Sequence, residues 1–488
     1  MSEVYPTLTA LFTDIADAIR ETTGDTDLIV ADDFPDVIRD SLQVAPPKPY
    51  LTFKSPSSFT LKVNDSKKHW NGTLEYSTNA STWTTWDGTT TLSSSTSGSN
   101  NALYMRGTGN TVITGSTTTN YRWVLTGNNI RCIGNIENLL DYATVVAGNH
   151  PTMASSCYYG MFRECTSLTQ APSLPATTLA TNCYFSMFSG CTSLTQAPSL
   201  PATTLASSCY RSMFSGCTSL TQAPALPATT LANYCYYQMF QNCTGLTQAP
   251  ALPATTLAED CYFNMFYGCT ALTRAQSLSA TTLVDGCYRS MFQGCTSLTQ
   301  APALPATTLA TQCYYNMFSG CTSLTQAPEL PATTLATNCY YQMFYGCTSL
   351  TKAPALPATT LADRCYRNMF SGCTSLAQAP ALIATTLATS CYNSMFYNCT
   401  SLTQAPALSA TTLVDGCYRS MFQGCSKIKL SSTQTGEYTV TYRIPSSGTG
   451  TTATDALTNM FTDTGGTFTG APSINTTYYL SNTNTVVS

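Results

Sequence analysis

Cysteine is the residue type with the most chemical potential in this chain, which has 488 residues, 23 cysteines and only two histidines. Between Cys157 and Cys425 the cysteines recur in pairs, and one 26-residue unit is repeated eleven times without an insertion. The two cysteines of a unit are eight residues apart. On one helix that spacing corresponds to ~12 Å, which is too far for a disulfide. We therefore expect reduced, buried thiols, with disulfides between neighbouring units as the alternative.

The residues around these cysteines indicate neither a metal site nor a catalytic site. The chain has no Cys-x-x-Cys pair, the usual source of ligands in structural zinc sites. A serine hydrolase would need His69 or His150, and no recognisable nucleophile stands near either. Adjacent acids such as Glu259 and Asp260 suit a solvated surface better than the convergent carboxylates of a glycosidase. We predict no metal, no cofactor and no enzymatic activity.

A 26-residue unit cannot bury an apolar face alone, so successive units must stack and share one core. Polar residues two positions before the first cysteine suit a helix N-cap, and the glycines before the second cysteine suit a helix end. The spacing predicts a two-turn helix in each unit, followed by an extended segment that stacks on its neighbours at ~4.8 Å. In the unit that begins at Cys313, the predicted core face comprises Cys313, Tyr314, Met317, Phe318 and Cys321.

The segment Met317-Phe-Ser-Gly-Cys-Thr-Ser-Leu324 has close variants in all eleven units, and it resembles the BspA-like leucine-rich repeat. The resemblance implies an α/β repeat solenoid with one short helix and one short strand per 26-residue coil. It also implies surface proteins and phage proteins that bind or display, without a common ligand. This chain has Ala327 and Glu329 where that family often has isoleucines, so the resemblance does not define the curvature of the sheet.

Residues 1–46 are predicted to form a helical hairpin that serves virion attachment or oligomerisation. The segment Thr13-Asp-Ile-Ala-Asp-Ala-Ile-Arg20 resembles the N-terminal segment of phage and prophage structural proteins of the tail and fibre kind. A helical cap of any large protein is the alternative. The apolar residues of the proposed virion-docking helix, at helical spacing, are Leu8, Leu11, Phe12, Ile15 and Ile19.

After a proline-rich linker, the alternation of apolar and polar residues predicts a small antiparallel β-sandwich over 47–131. It contains all four tryptophans, Trp70, Trp83, Trp86 and Trp123. We expect these rings in its core, with a sugar-binding platform as the alternative. The remaining predicted parts are an N-terminal solenoid cap at 132–156, the eleven units at 157–429, and a C-terminal cap with strands and a degenerate repeat at 430–488.

Two columns of the units vary in sequence while the core columns do not, and they form the candidate binding strip. With the first cysteine as position 1, these are positions 3 and 7. Tyr and Arg are enriched in interfaces, although such side chains can also only shield a core with their apolar stems. A Gln-rich column at position 14 suits either glycan binding or stacking. The strip comprises Tyr159, Phe185, Arg211, Tyr237, Phe263, Arg289, Tyr315, Tyr341, Arg367 and Arg419 at position 3, and Tyr267, Tyr345 and Tyr397 at position 7.

Composition limits the compartment and the partners. Only 9% of the residues are charged and the net charge is −4, which does not fit a nucleic-acid-binding surface. The N-terminus lacks the features of a secretory signal, and the chain lacks an apolar stretch of membrane-spanning length. We expect synthesis in the host cytoplasm, whose reducing conditions favour free thiols, localisation in the virion, and no membrane insertion.

Two functions fit these expectations. The first is a phage virion protein, in a tail fibre or another exposed appendage, that recognises a host-surface protein or glycan through the solenoid. The second is a structural or decorating virion protein with the solenoid as a rigid spacer. A bacterial surface adhesin ranks third because it would need a secretory signal. The expected partners are other virion proteins through the N-terminus, the host surface, and further copies of the chain in a homo-oligomer.

Overall fold

The computed structural model describes residues 48–95, 101–115 and 121–488. The predicted hairpin at 1–46, with Leu8, Leu11, Phe12, Ile15 and Ile19, lies outside the described residues. The described part is mostly non-helical. Its elements are β1 (Leu51–Ser55), β2 (Thr60–Val63), β3 (Thr73–Ser77), β4 (Thr84–Thr85), β5 (Leu92–Ser93), β6 (Asn101–Thr108), β7 (Trp123–Thr126), β8 (Ile130–Ile133), α1 (Asn138–Val146), β9 (Leu168–Gln170), β10 (Gln404–Pro406), β11 (Lys429–Ser431), β12 (Tyr438–Ile444), β13 (Gly465–Gly466), β14 (Thr476–Ser481) and β15 (Thr485–Val487).

Two sheets pack against each other in the N-terminal region. One has the strand order β4-β3-β6-β1-β8-β9, and the other has the order β5-β2-β7. Within this region the pairs are antiparallel, as in β1 with β6 and β2 with β7. Apolar residues alternate inward along the strands, so the rings of Phe53 on β1 and Trp123 on β7 meet with centroids 6.3 Å apart. The last pair, β8 with β9, is parallel and joins this sheet to the first solenoid coil.

The segment predicted as a helix in each coil is instead a run of overlapping reverse turns. In the first coil the N–H groups of Met161 and Arg163 donate to the carbonyls of Tyr158 and Gly160, at 3.2 and 3.0 Å. These are bonds to the third preceding residue, whereas an α-helix bonds to the fourth. The same pattern recurs in all eleven coils, so the predicted helices are wrong.

A left-handed residue at every fourth position prevents helix formation in this segment. In the first coil, Ser156, Gly160 and Glu164 have φ values of 58°, 58° and 60°. The corresponding residues of the later coils also have positive φ. For L-amino acids the left-handed conformation interrupts a right-handed helix. The prediction of left-handed residues before the second cysteine is confirmed, but these residues end a turn rather than a helix.

Alternate N–H groups of this run of overlapping turns, which we call the turn ribbon, donate hydrogen bonds to the next coil. The N–H groups of Tyr158, Gly160 and Phe162 donate to carbonyls 25 residues further along the chain, at 2.8, 2.8 and 2.9 Å. A helix would use these groups internally and could not connect the coils in this way. The ribbon thus satisfies half of its N–H groups within a coil and half between coils, which explains why the stacked coils adopt it.

The column predicted as helix N-caps also bonds between coils. The carboxylates of Asp285 and Asp363 accept the N–H groups of Thr311 and Thr389, each 26 residues further along, at 3.0 Å in both cases. Because no helix begins at these residues, their side chains have no helical N–H group to cap. Their role as hydrogen-bond acceptors was predicted correctly, but the partner was not.

The predicted core face is confirmed as buried. Cys313, Met317, Phe318 and Cys321 are fully buried, and Tyr314 is 1% exposed. Equivalent rings stack along the solenoid: Phe318 lies 5.7 Å from both Phe292 and Phe344, between ring centroids. Each ring therefore packs between two neighbouring coils, as stacking of interdependent units requires.

The extended segment predicted after the turn ribbon forms backbone bridges rather than continuous strands. Parallel bridges join Gln170 to Gln196, Gln196 to Gln222, and several later members of the Gln-rich column. Proline follows two residues later in most coils, as Pro172 does in the first. Proline lacks the backbone N–H group that continuous strand pairing would use. Strands occur in this column only at β9 and β10 within the described residues.

Both ends of the solenoid are covered by segments that make hydrogen bonds or ring contacts like those between coils. At the N-terminal end the Trp123 N–H donates to the Met161 carbonyl at 2.7 Å, as a Phe would in a preceding coil. At the C-terminal end the residues 455–461 form a twelfth, degenerate coil, in which Phe461 stacks on Phe422 at 5.4 Å. The sheet β12-β14-β11-β13 and the pair β10-β15 complete this end. Terminal units that differ from the rest are expected in a solenoid.

Candidate functional site

The position 3 residues of the candidate strip lie in one row, which we call the Tyr/Arg ladder, and they are in stacking contact from Tyr159 to Arg367. It has a rung in each coil, and its rings lie nearly parallel. The ring pairs Tyr159–Phe185, Tyr237–Phe263 and Tyr315–Tyr341 each have centroids 4.6 Å apart. The rungs of the ladder are Tyr159, Phe185, Arg211, Tyr237, Phe263, Arg289, Tyr315, Tyr341, Arg367, Asn393 and Arg419.

The arginines of the ladder stack on its aromatic rungs. The Arg211 guanidinium carbon lies 5.2 Å from the Phe185 ring centroid and 4.2 Å from that of Tyr237. Arg289 lies 5.0 Å from the ring centroids of both adjacent rungs, and Arg367 lies 5.9 Å from that of Tyr341. These distances are within the range of cation–π interactions. The ladder is half-buried from Tyr159 to Arg367, and Arg419 is exposed.

The charges near the ladder are few. Arg289 donates to the Gln312 amide oxygen at 3.0 Å, and Arg419 pairs with Asp455 at 3.4 Å. Burial raises the pKa of the Asp260 carboxyl, while the nearby Arg289 and Arg211 guanidiniums act in the opposite direction. Among the described residues, no carboxylate lies within ion-pair distance of Arg211 or Arg367. The buried Nε atoms of these two arginines also have no hydrogen-bond partner there.

The tyrosines at position 7 do not join into a second ladder. Tyr345 is 44% exposed, and Tyr267 and Tyr397 are half-buried. They stand two or three coils apart, beyond ring contact with one another. In the structure, therefore, the position 3 side chains of the predicted strip contact one another, whereas the position 7 tyrosines are separate side chains beside them.

The sequence analysis did not identify the residues at position 4, which orient the side chains of the ladder. The residue after each rung, such as Gly160, Asn316 or Gln342, is left-handed in every coil. It turns the chain so that the rung before it faces outward and the Met-Phe pair after it faces the core. The signal was present in the sequence, because this column contains Gly, Ser, Asn and Gln but no β-branched residue.

Three of the four tryptophans lie in the core of the sandwich, as expected. Trp70, Trp86 and Trp123 are 3%, 1% and 1% exposed. Trp83 is half-buried at the surface, where the Arg106 guanidinium covers its ring at 4.1 Å from the centroid. Because this arginine already occupies one face of the indole, the geometry gives little support to the alternative of a sugar-binding platform.

The two histidines are each paired with an acid. His69 contacts Asp65 at 2.9 Å, and His150 contacts the buried Glu137 at 2.8 Å. Glu137 and His150 line a cavity of about 330 Å³ together with Met153 and residues 177–180. In the described ranges, no group of three or more His, Cys, Asp or Glu side chains has the arrangement of a metal site. The part of the chain that is described also contains no helix with the length and apolar character to cross a bilayer.

All 23 cysteines are buried thiols without a disulfide partner in the structure. The second cysteine of each unit bonds to the preceding coil, as Cys191 does through its Sγ atom at 3.0 Å from the Phe162 carbonyl oxygen. Burial raises the pKa of these thiols, for example that of Cys347 to about 12. A thiolate is the reactive and metal-binding form, so burial lowers the reactivity of these cysteines in the folded protein.

The fold and the ladder define a repeat solenoid whose coils share one core. A family model described as the BspA type leucine rich repeat region (6 copies) matches residues 149–273, 233–351, 262–377 and 287–429. These overlapping segments cover more than half of the chain. The chain belongs to this family. No curated protein matches it.

Proposed function

We propose that this protein binds a cell surface through the Tyr/Arg ladder, as part of a tail fibre or another exposed appendage of a phage particle. The observation that carries the proposal is the ladder itself, a half-buried row of aromatic and arginine side chains in stacking contact from Tyr159 to Arg367. Interfaces are enriched in these residue types. The Phe rungs at 185 and 263 are partly accessible on the same row.

The assignment to a phage particle is supported by the resemblance of residues 13–20 to phage structural proteins. In this proposal the N-terminal segment binds other virion proteins, the chain assembles as a homo-oligomer, and the protein is a virion component made in the host cytoplasm. The proposed role is binding rather than catalysis, because burial raises the pKa of the thiols and the sequence places no recognisable nucleophile near His69 or His150. Portal, tail-tube or capsid genes next to the gene for this protein would support the assignment.

The test is the binding of purified full-length protein to intact host bacteria. The variant carries Tyr315→Ala, Tyr341→Ala and Arg367→Ala, which remove three consecutive rungs. A few aromatic and arginine side chains usually dominate an interface, so we expect the variant to lose most of its cell binding while its melting temperature stays well above the assay temperature.

A matched control changes the same three coils on the Gln-rich column, with Gln326→Ala, Lys352→Ala and Gln378→Ala. It removes the same number of side chains and the same single positive charge. We expect this control to bind cells as the unmodified protein does. Equal binding by all three proteins would refute the ladder as the binding surface.

The second candidate function is a rigid spacer in the particle. The observation that favours it is the uninterrupted set of hydrogen bonds and ring stacks between coils, from Trp123 to Phe461. Complete absence of cell binding by the unmodified protein, together with its incorporation into particles, would favour the spacer over the receptor-binding function.

A further inference from the structure

The aromatic rungs of the Tyr/Arg ladder present their edges, and not their faces, to a ligand. In each pair at 4.6 Å the two facing sides of the rings cover each other, at interplanar angles of 4° to 22°. The faces next to Arg211 and Arg289 are covered by guanidinium groups. A ring carries its negative potential on the face and its positive potential at the edge. The accessible part of the ladder therefore consists of positive ring edges, tyrosine hydroxyls and guanidinium N–H groups.

Three of the four arginines of the ladder recur at a fixed interval, and the fourth, Arg419, follows after only two coils. Arg211, Arg289 and Arg367 are each separated by 78 residues, which is three coils. Two aromatic rungs stand between successive arginines, in the order Tyr-Phe-Arg, Tyr-Phe-Arg and Tyr-Tyr-Arg. At a coil spacing of ~4.8 Å the positive charges repeat every ~14 Å along the solenoid.

Two of these three charges have no anionic partner among the described residues. Arg211 and Arg367 make only ring contacts through their guanidinium groups, while Arg289 also bonds to an amide. The acids near this part of the ladder include Asp260, whose pKa burial raises, and Glu259, which accepts a bond from the Tyr234 hydroxyl at 3.3 Å. Asp285 and Asp363 accept backbone N–H groups of the following coils at 3.0 Å. A stacked guanidinium keeps its outer N–H groups available in a fixed plane, which suits carboxylate or phosphate oxygens.

We propose that the ladder binds a linear acidic polysaccharide laid along the solenoid axis, with acidic groups of the polymer on Arg211, Arg289 and Arg367. This inference rests on the proposed function and names its ligand class. A polymer with a regular repeat can make the same contact at each third coil, and several weak contacts then add through effective concentration. The ladder is one side chain wide, much narrower than a standard protein interface.

The probe is polygalacturonate, a linear polysaccharide with one carboxylate per sugar, and its neutral counterpart is the fully methyl-esterified polymer. Binding to the full-length protein is measured by calorimetry or by biolayer interferometry. We expect binding to polygalacturonate that weakens as salt is added, and no binding to the ester. Affinity should increase when oligomers become long enough to reach from one ladder arginine to the next, ~14 Å away.

The test variant is Arg211→Gln with Arg367→Gln, which should lower the affinity for polygalacturonate about tenfold, since two of three exposed ion pairs are lost. The matched control is Arg274→Gln with Lys352→Gln, which removes the same charge from the Gln-rich column. We expect the control to bind within about twofold of the unmodified protein. A third variant, Arg211→Lys with Arg367→Lys, keeps the charge but loses the planar guanidinium, so its affinity should lie between those of the unmodified protein and the Gln variant.

Several outcomes would overturn the inference. Equal losses in the Gln variant and its control would show that only net charge matters, and an unchanged affinity in the Gln variant would show that the ladder arginines do not bind the polymer. Binding of poly-glutamate as tightly as polygalacturonate would exclude a preference for polysaccharide. If the ladder variants lose cell binding but polygalacturonate neither binds nor competes, the ligand class fails and the proposed function stands. If polygalacturonate binding requires the ladder but cell binding does not, the proposed function fails.

Discussion

Gln238 and Gln241 provide a direct test of the turn ribbon, because they are the same residue type in one coil but differ in backbone conformation. Gln238 is left-handed, with φ of 54°, and Gln241 is not among the residues with positive φ. In a helix, which the sequence predicted here, replacement of either residue by glycine would be less favourable than replacement by alanine. In the turn ribbon the order should reverse at Gln238 alone.

The magnitude follows from two opposing contributions. A left-handed conformation costs an L-residue about 1–2 kcal/mol, which glycine avoids. Glycine loses about 0.5–1 kcal/mol more conformational entropy than alanine on folding. We therefore expect Gln238→Gly to be more stable than Gln238→Ala by about 0.5–1 kcal/mol, whereas Gln241→Ala should be more stable than Gln241→Gly by a similar amount. The bond from the Ser212 hydroxyl to the Gln238 side chain, 3.3 Å long, is lost in both Gln238 variants and cancels.

The assay is urea denaturation of the four variants, followed by far-UV circular dichroism and tyrosine fluorescence. Comparison within each pair removes the effect of the lost glutamine side chain, so only the difference between glycine and alanine remains. If alanine is preferred at both positions, the residue at 238 is not left-handed in solution and the turn ribbon is refuted. Glycine preference at both positions would instead indicate that the whole segment is non-helical without the four-residue period.

Three further predictions address the core, the thiols and the N-terminal segment. Phe318→Ala should destabilise the solenoid by about 3–5 kcal/mol because it opens a cavity between two neighbouring rings, and a loss under about 1 kcal/mol in denaturation would contradict its place in the core. Thiol titration without reductant should find nearly all 23 cysteines free after unfolding and almost none reactive before it. Burial raises the pKa of Cys347 to about 12, above the value of ~8.5 in an unfolded chain. The contribution of the protonated Cys347 thiol to stability is therefore complete below pH ~8.5 and is lost as the pH rises towards 12. Unchanged stability up to pH 11 would contradict this. Deletion of residues 1–46 should leave a folded solenoid that no longer enters particles, and normal incorporation of the truncated protein would refute the proposed attachment role.

The repeat unit, its core face and its shared packing could be predicted from the sequence, because they depend only on the spacing of apolar residues. Cys313, Tyr314, Met317, Phe318 and Cys321 are all buried as predicted. The local backbone could not be predicted by the same spacing. Residues at intervals of one and four lie on one face of a helix of 3.6 residues per turn, and they also lie on one face of a ribbon with a four-residue period. Over only nine residues the two periods diverge too little to be distinguished.

The candidate site was predicted only in part: its residues were identified from the sequence, but their stacking was not. The position 3 column was identified because it varies in sequence, and the structure shows that its members contact one another. The stacking of arginine between aromatic rings depends on the coil spacing and on the left-handed residue that follows each rung, so it could not be read from residue types alone. The position 7 tyrosines were included because they share the residue type, but Tyr267 and Tyr345 lie three coils apart and form no common surface with each other.

The turn ribbon couples the ladder to the stability of the solenoid. Each rung from Phe185 onward is held by one bond within its own coil and one to the preceding coil: the Phe185 N–H donates to the Asn182 carbonyl at 3.2 Å, and the Phe185 carbonyl accepts the Gly160 N–H at 2.8 Å. A single coil would present one aromatic or arginine side chain without a neighbour to stack on, and its guanidinium would remain fully hydrated. Stacking of the coils desolvates part of each arginine and fixes its plane, which reduces the entropy lost when it binds an anion. The binding surface is therefore a property of the assembled coils, and a substitution in the core, such as Phe318→Ala, should weaken binding at the adjacent rungs even though it leaves every ladder residue in place.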